Sequence, residues 1–129
     1  MGSDFPDQAQ IVIIGGGVVG CSVAYHLAEL GVRDVVLLER KSLTSGTTWH
    51  AAGLVGQLRA TQNLTRLAQY TTNLYADLEK LTGQATGFRQ NGSLSLATDD
   101  ERFEELKRGA SMASCFGLEV EVVSPKEAL

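Results

Sequence analysis

The stretch IVIIGGGVVG at residues 11–20 decides the fold. Its first half, Ile11–Ile14, is a continuous β-branched run, which is typical of a strand buried on both faces. The glycines at positions 15, 17 and 20 match the spacing G-x-G-x-x-G, and that motif joins a strand to a helix. From Val18 to Leu30 the apolar residues recur at helical spacing, and Gly31 ends the predicted helix.

A second buried-type strand at Val35–Leu38 completes a strand–helix–strand unit of about thirty residues, and such a crossover is right-handed. In this context the glycine motif predicts a dinucleotide site. Gly15 permits the tight turn, Gly17 allows the backbone to approach a pyrophosphate, and Gly20 allows the helix to pack closely on the strand. The N-terminus of the helix offers N–H groups and a positive dipole to the phosphates.

Glu39 stands at the end of the second strand, nineteen residues after Gly20. A carboxylate at this position accepts hydrogen bonds from both hydroxyls of the adenosine ribose, and it repels a 2′-phosphate. NADP is therefore disfavoured. The glycine fingerprint alone fits NAD and FAD equally.

Composition excludes several function classes. The chain has 129 residues and a formal net charge of −4 with scattered basic residues, which predicts no nucleic-acid partner. No apolar run approaches the ~20 residues of a membrane span, and the first ten residues resemble neither a signal nor a transit peptide. Cys21 and Cys115 lie far apart without metal-ligand spacing, so reduced thiols, no metal site and a cytoplasmic location are expected.

The remaining chain alternates between irregular and regular segments. Residues 40–61 read as irregular, and a long amphipathic helix closed by Gly83 follows. Its apolar stripe consists of Leu64, Leu67, Ala68, Thr71, Leu74, Tyr75, Leu78 and Leu81.

After the long helix the pattern predicts paired strands, one at Gly87-Phe88 and one at Ser93–Ala97, around a turn at 90–92. A helix capped at Thr98 and running to about Phe116 comes next, with acidic residues in its first turn. A strand at Leu118–Val122 follows, and Ser124 begins a further helix. Because a doubly wound sheet needs more than two parallel strands, the sequence is expected to be the amino-terminal piece of a larger protein.

The segment Ser45–Leu54, SGTTWHAAGL, resembles the flavin-binding loop of the sarcosine and dimethylglycine dehydrogenases. These enzymes belong to the glutathione-reductase-like branch of the FAD amine oxidoreductases. The resemblance continues through the long helix, Thr82-Gly83-Gln84, Gly87-Phe88 and Asn91–Leu94, and it covers nearly the whole chain after residue 10. In that family the histidine of this string carries FAD through a bond from an imidazole nitrogen to the 8α carbon, and His50 stands at its position.

The resemblance implies an α/β fold. A Rossmann-like βαβ FAD-binding domain, incomplete and covering residues 1–85, is followed at 86–129 by the start of a mixed α+β substrate domain. The cofactor-binding residues that it implies, together with the glycine motif, are Gly15, Gly17, Val19, Gly20, Glu39, Arg40, Gly46, Thr47, Thr48, Trp49, His50, Ala51, Ala52, Gly53 and Leu54.

The implied reaction is oxidation of the N-methyl C–N bond of a small N-methylated amino acid, with hydride transfer to flavin N5. The partners are then the amine substrate and an electron acceptor, either electron-transfer flavoprotein or oxygen, with tetrahydrofolate as a further cofactor of the full-length protein. A eukaryotic, processed form belongs in the mitochondrial matrix. No catalytic residue is identifiable in this chain, which alone is expected to be inactive.

Two alternatives remain at this stage. Regulatory subunits of a pyruvate dehydrogenase phosphatase resemble the same family without acting as dehydrogenases, and the pair Trp49-His50 favours the enzyme over them. A plain NAD-binding module gives no reason for the flavin loop.

Trp49 is equally interpretable as a core aromatic or a flavin contact. His26 is expected to be a packed histidine and Arg59 a solvated arginine, with substrate-carboxylate binding as the less favoured role of Arg59.

Overall fold

The computed structural model describes residues 6–129. Strand β1 (Ile11–Ile14), helix α1 (Val18–Glu29) and strand β2 (Val35–Leu38) come first. A short 3₁₀ helix at Thr47–His50 and two longer helices, α2 (Gln62–Thr82) and α3 (Asp100–Cys115), follow. The chain divides into two compact units, the first ending at Leu54 and the second spanning Val55–Leu129. The proposed start of a substrate domain at residue 86 stays a prediction.

The first unit is the predicted strand–helix–strand motif. Strands β1 and β2 pair in parallel, with Ile11 opposite Val35 and Ile14 opposite Leu38. Helix α1 packs on one face of this two-stranded sheet. The opposite face is open within the described residues, since Ile14 is 87% exposed. The expectation of a strand buried on both faces is therefore wrong: Ile11 and Ile13 are half-buried on the face towards α1, and Val12 and Ile14 are exposed on the other face.

Helix α1 ends as its sequence predicts. Gly31 adopts a left-handed backbone with φ +82°, a conformation that glycine reaches without steric cost. The Gly31 N–H then donates to the Ala28 carbonyl, and the Val32 N–H donates to the Leu27 carbonyl at 2.9 Å. These bonds satisfy carbonyls at the end of the helix and turn the chain towards β2.

Helix α2 belongs to the second unit. Its N-cap is Thr61, whose hydroxyl accepts a hydrogen bond from the Leu64 N–H, and its C-cap is the predicted Gly83 with φ +71°. The fully buried side chains of the helix are Thr65 and Thr72. The predicted apolar stripe is only partly covered: its exposed members are Leu64, Leu67 and Leu81.

The N-cap of helix α3 lies one residue later than the predicted one. Asp99, not Thr98, is the N-cap, and its carboxylate accepts a hydrogen bond from the Arg102 N–H at 2.7 Å. Asp100 and Glu101 occupy the first turn, where negative charge is favoured by the helix dipole. Ala113 is the buried apolar residue of this helix.

The predicted strands at Gly87-Phe88, Ser93–Ala97 and Leu118–Val122 are wrong, because these residues are irregular in the structure. An isolated hairpin is marginally stable in water, and residues 55–129 contain no third strand on which it could pack. Ser124, predicted to begin a helix, does form a capping box, with its N–H donating to the Glu127 carboxylate at 2.8 Å. The helix that it was predicted to begin is only a turn.

Among residues 6–129, no helix combines the length and the apolar character that crossing a membrane requires. Cys21 and Cys115 are free thiols.

Candidate functional site

The glycine turn closes the carboxyl end of the small sheet. Gly15 has φ +105°, which side-chain-bearing residues rarely adopt, and its N–H donates to the Leu38 carbonyl at 2.8 Å. Gly20 lies in the first turn of α1, where a Cβ atom would stand 1.9 Å from the Gly15 carbonyl oxygen. Gly15 is therefore required by its backbone angle and Gly20 by the close approach of helix to turn.

Glu39 bridges this turn and the segment that follows β2. One carboxylate oxygen accepts a hydrogen bond from the Gly16 N–H at 2.8 Å, and the other accepts one from the Lys41 N–H at 2.9 Å. The Gly16 bond, followed by the Lys41 bond, lowers the pKa of Glu39, and the Arg40 guanidinium acts in the same direction. The carboxylate is thus held ionised, and its oxygens retain further lone pairs for ribose hydroxyls.

The glycine motif predicts no role for Gly16, because its second position accepts any residue. It is buried, and a Cβ there would meet the Leu43 side chain at 2.5 Å. Its carbonyl accepts a hydrogen bond from the Thr44 N–H at 2.8 Å and from the Cys21 thiol at 3.5 Å. The run of three glycines was the available signal, since a motif with any residue at the second position does not require one there.

Thr44 is a second residue without a sequence signal. Its φ of +63° is unusual for a β-branched residue. The Thr44 N–H bond to the Gly16 carbonyl holds it there.

Thr48 joins the flavin-loop segment to the same turn. Its hydroxyl oxygen accepts a hydrogen bond at 2.9 Å from the N–H of Val18, which is the first residue of α1. Gly17 leaves room for that hydroxyl, because a Cβ at Gly17 would lie 3.1 Å from it. The structure therefore brings together Gly15, Gly17, Gly20, Glu39 and Thr48 of the predicted site residues.

Of the other predicted residues, Arg40 acts on the Glu39 carboxylate, and the rest make none of these contacts. Trp49 is 68% exposed, so it is not a core aromatic of the first unit. Its ring lies against the His50 ring, with 4.0 Å between the centroids and 36° between the planes. The His50 side chain is otherwise exposed, as are the predicted residues Val19, Arg40, Gly46, Thr47, Ala51, Ala52, Gly53 and Leu54.

His26 is the packed histidine that the sequence predicts. Its Nδ1 lies 2.7 Å from the Ser22 carbonyl one turn earlier, and its ring stands edge-on to Tyr25. The Arg59 side chain is exposed, and its guanidinium donates to the Leu58 carbonyl at 2.9 Å. The hydroxyl of the buried Thr65 accepts a hydrogen bond from the Arg59 N–H and donates one to the Arg59 carbonyl. No group of three potential metal ligands occurs among the residues described.

Comparison with known proteins shows the family of this chain. The family model described as FAD dependent oxidoreductase (DAO) matches residues 10–129. The chain belongs to the FAD-dependent oxidoreductase family.

Relatives within the FAD-dependent oxidoreductase family support the resemblance to sarcosine and dimethylglycine dehydrogenases. Mouse mitochondrial sarcosine dehydrogenase is 49% identical over 95% of this chain, and rat mitochondrial dimethylglycine dehydrogenase is 46% identical over 96%. The mouse mitochondrial pyruvate dehydrogenase phosphatase regulatory subunit is 43% identical over 95%. The chain spans only 13% to 14% of the length of these relatives.

A solved structure agrees with the family fold. The L-amino acid deaminase from Proteus vulgaris superposes with a TM-score of 0.81 over 96% of this chain and 30% of its own, at 18% identity. This likeness concerns the fold alone.

The residues of the first unit fit the FAD of this oxidoreductase family. A phosphate needs a helix N-terminus that it can approach closely, and α1 begins behind glycine residues, with Gly20 packed against Gly15. A ribose needs an acceptor pair at the end of β2, and Glu39 supplies an ionised carboxylate there. Both requirements are met inside one compact unit.

Proposed function

We propose that this chain is the cofactor-binding start of an FAD-dependent dehydrogenase or oxidase that acts on the N-methyl group of a small N-methylated amino acid, of the sarcosine or dimethylglycine type. The observation that carries the proposal is the 49% and 46% identity to dehydrogenases named for those two substrates. When bound, the flavin accepts at N5 the hydride that leaves the N-methyl carbon.

The chain's own residues bind and orient. Apart from the Val18 N–H, which donates to the Thr48 hydroxyl, the N–H groups at the start of α1 bind the pyrophosphate, next to Gly15 and Gly17. Glu39 accepts the ribose hydroxyls while its bond to Gly16 keeps the turn in shape. Arg40 adds positive charge beside that carboxylate.

The exposed flavin loop is proposed to line the isoalloxazine ring. Small residues there let the backbone lie close to a planar ring. We assign this role to the exposed residues Ala51, Ala52, Gly53 and Leu54. Gly46 and Thr47, also exposed, offer donors to the pyrophosphate or the ribityl chain, with Val19 at the pyrophosphate end.

His50 is proposed as the covalent attachment residue. Attachment forms one bond, from an imidazole nitrogen to the flavin 8α carbon. It would release one proton from each partner and one electron pair, for which dioxygen is the final acceptor. An exposed imidazole that lies against Trp49 is accessible for such a reaction. The bond prevents loss of the cofactor.

The test is a denaturing gel of the full-length protein. After acid denaturation, flavin fluorescence is expected to stay with the wild-type polypeptide and to disappear from His50→Ala. His26→Ala is the matched control, because His26 is the other histidine of the chain, bonded within α1, and this variant keeps the signal. Release of all flavin from the wild-type protein would refute attachment through His50.

A second candidate is a non-catalytic regulatory subunit, favoured by the 43% identity to the phosphatase regulatory subunit. The two functions differ in a reduction assay. Mixing the oxidised full-length protein with sarcosine or dimethylglycine without oxygen bleaches the flavin absorbance of a dehydrogenase and leaves that of a regulatory subunit unchanged.

The remaining proposals concern the whole protein. Its electron acceptor is electron-transfer flavoprotein or oxygen, tetrahydrofolate is a further cofactor, and residues 86–129 begin the substrate domain. Because the sarcosine and dimethylglycine dehydrogenases above are named as mitochondrial, we place a eukaryotic form in the mitochondrial matrix.

A further inference from the structure

Helix α1 has no cap from its own N-terminal residue. The first N–H groups of a helix lack partners inside it, and a polar side chain at the N-cap usually accepts from one of them. Here the N-cap is Gly17, which has no side chain. The acceptor comes instead from Thr48, thirty residues further along, whose hydroxyl oxygen lies 2.9 Å from the Val18 nitrogen.

Thr48 is also the most protected residue of its own segment. It is half-buried, whereas Thr47, Trp49 and His50 are exposed. Its carbonyl accepts a hydrogen bond from the Ala51 N–H at 3.2 Å and so closes the 3₁₀ turn. The Val18–Thr48 hydrogen bond joins the Thr47–His50 turn to the N-terminus of α1.

We propose that Thr48 is the positioning residue for flavin attachment: its hydroxyl fixes the Thr47–His50 turn on the N-terminus of α1 and thereby sets where the His50 imidazole stands. This inference rests on the proposed attachment through His50. Bond formation requires the imidazole nitrogen to be held close to the 8α carbon, and a misplacement of about 1 Å can slow such a reaction by about a hundredfold. His50 lies two residues from Thr48 on a tight turn, so loss of the Thr48 hydrogen bond changes the position of the imidazole.

A direct contact of Thr48 with a phosphate would produce a different kinetic result. Loss of a binding contact raises the FAD concentration that half-saturates attachment and leaves the limiting rate unchanged. Loss of a positioning contact lowers the limiting rate at saturating FAD. The two quantities therefore separate the roles.

The experiment follows attachment in the full-length apo-protein, mixed in air with a series of FAD concentrations and sampled into acid. Fluorescence of the denatured polypeptide gives the rate. Thr48→Val removes the hydroxyl and keeps the shape of the side chain, while Thr48→Ser keeps the hydroxyl. Thr71→Val is the matched control, because the Thr71 hydroxyl donates within α2 to the Leu67 carbonyl at 2.9 Å.

We expect Thr48→Val to lower the limiting rate about tenfold or more, with Thr48→Ser and Thr71→Val close to wild type. Reversible FAD binding by the His50→Ala, Thr48→Val double variant shows that the valine variant is folded. An unchanged limiting rate in Thr48→Val, with or without a raised half-saturating concentration, overturns the inference and leaves attachment through His50 intact. A wild-type protein that attaches no flavin overturns both.

Discussion

The substitution Gly20→Ala tests the close approach of α1 to the glycine turn. The added Cβ would lie 1.9 Å from the Gly15 carbonyl oxygen and 3.1 Å from its carbon, whereas ordinary contact begins at 3.4 Å. The first distance is short by 3.4 − 1.9 = 1.5 Å. Both atoms belong to the backbone, so no side-chain rotation relieves the overlap, and the helix or the turn must move.

A movement of this size is expected to weaken FAD binding. Hydrogen bonds from N–H groups to oxygen span about 2.7–3.2 Å. A displacement as large as this overlap breaks the hydrogen bonds between the start of α1 and a phosphate. Overpacking of this kind costs about 1–3 kcal/mol. Since 1.4 kcal/mol corresponds to a factor of ten, the Kd for FAD should rise roughly 5–150-fold.

The assay is a fluorescence titration of full-length apo-protein with FAD, carried out in the His50→Ala background so that binding is reversible. Gly109→Ala is the matched control. A Cβ at Gly109 meets no atom within 4 Å, and this residue lies inside α3. The control should keep the Kd for FAD, and alanine should stabilise that helix by about 0.5–1 kcal/mol. A Gly20→Ala protein with the wild-type Kd would show that the turn and α1 can separate without harm to the site.

Three further predictions concern the first unit. Glu39→Gln should raise the Kd for FAD about tenfold, while the matched Glu79→Gln should not. Because hydrogen bonds lower the Glu39 pKa, the contribution of Glu39 to FAD binding is present above the ordinary pKa of glutamate and is lost only as the pH falls through the lowered pKa. A decline in FAD binding between pH 8 and 5.5 that is absent from Glu39→Gln would contradict this. Thr44→Gly should leave the free energy of unfolding equal or raise it by about 0.5 kcal/mol, since the cost of φ +63° outweighs the flexibility of glycine; clear destabilisation in urea would show that the threonine side chain matters more than the strain. The isolated 129-residue polypeptide should bind a hydrophobic dye and self-associate, because Ile14 and Leu54 are almost fully exposed; a monomer that binds no dye would be inconsistent with this exposure.

Local chemistry made much of the fold predictable. The β-branched run and the glycine spacing predict β1 and the start of α1 because both depend on neighbours in sequence. The same holds for helix ends: Gly31 and Gly83 end helices through left-handed angles that favour glycine, and Ser124 with Glu127 forms a capping box inside four residues.

Contacts between distant residues were not predictable in the same way. The strands expected at 87–88, 93–97 and 118–122 depend on partners that alternation alone does not specify. The Glu39 position was expected, yet its bond to Gly16 was not, because a backbone N–H carries no side-chain signal. Thr44 likewise adopts its angle through a bond to Gly16, twenty-eight residues earlier. The attachment role of His50 stays a prediction from resemblance.

The double use of Glu39 limits how the nucleotide preference of this protein can be redesigned. Acceptance of a 2′-phosphorylated nucleotide is commonly sought by exchanging the acid at the end of the second strand for a neutral or basic residue. In this chain an exchange for a residue without a side-chain oxygen also removes the acceptor of the Gly16 N–H, which belongs to a buried residue, and an unsatisfied buried N–H costs about 1–3 kcal/mol. A successful redesign therefore has to supply a replacement acceptor for Gly16 together with the phosphate-binding side chain, and single-site libraries at position 39 should yield poorly loaded proteins.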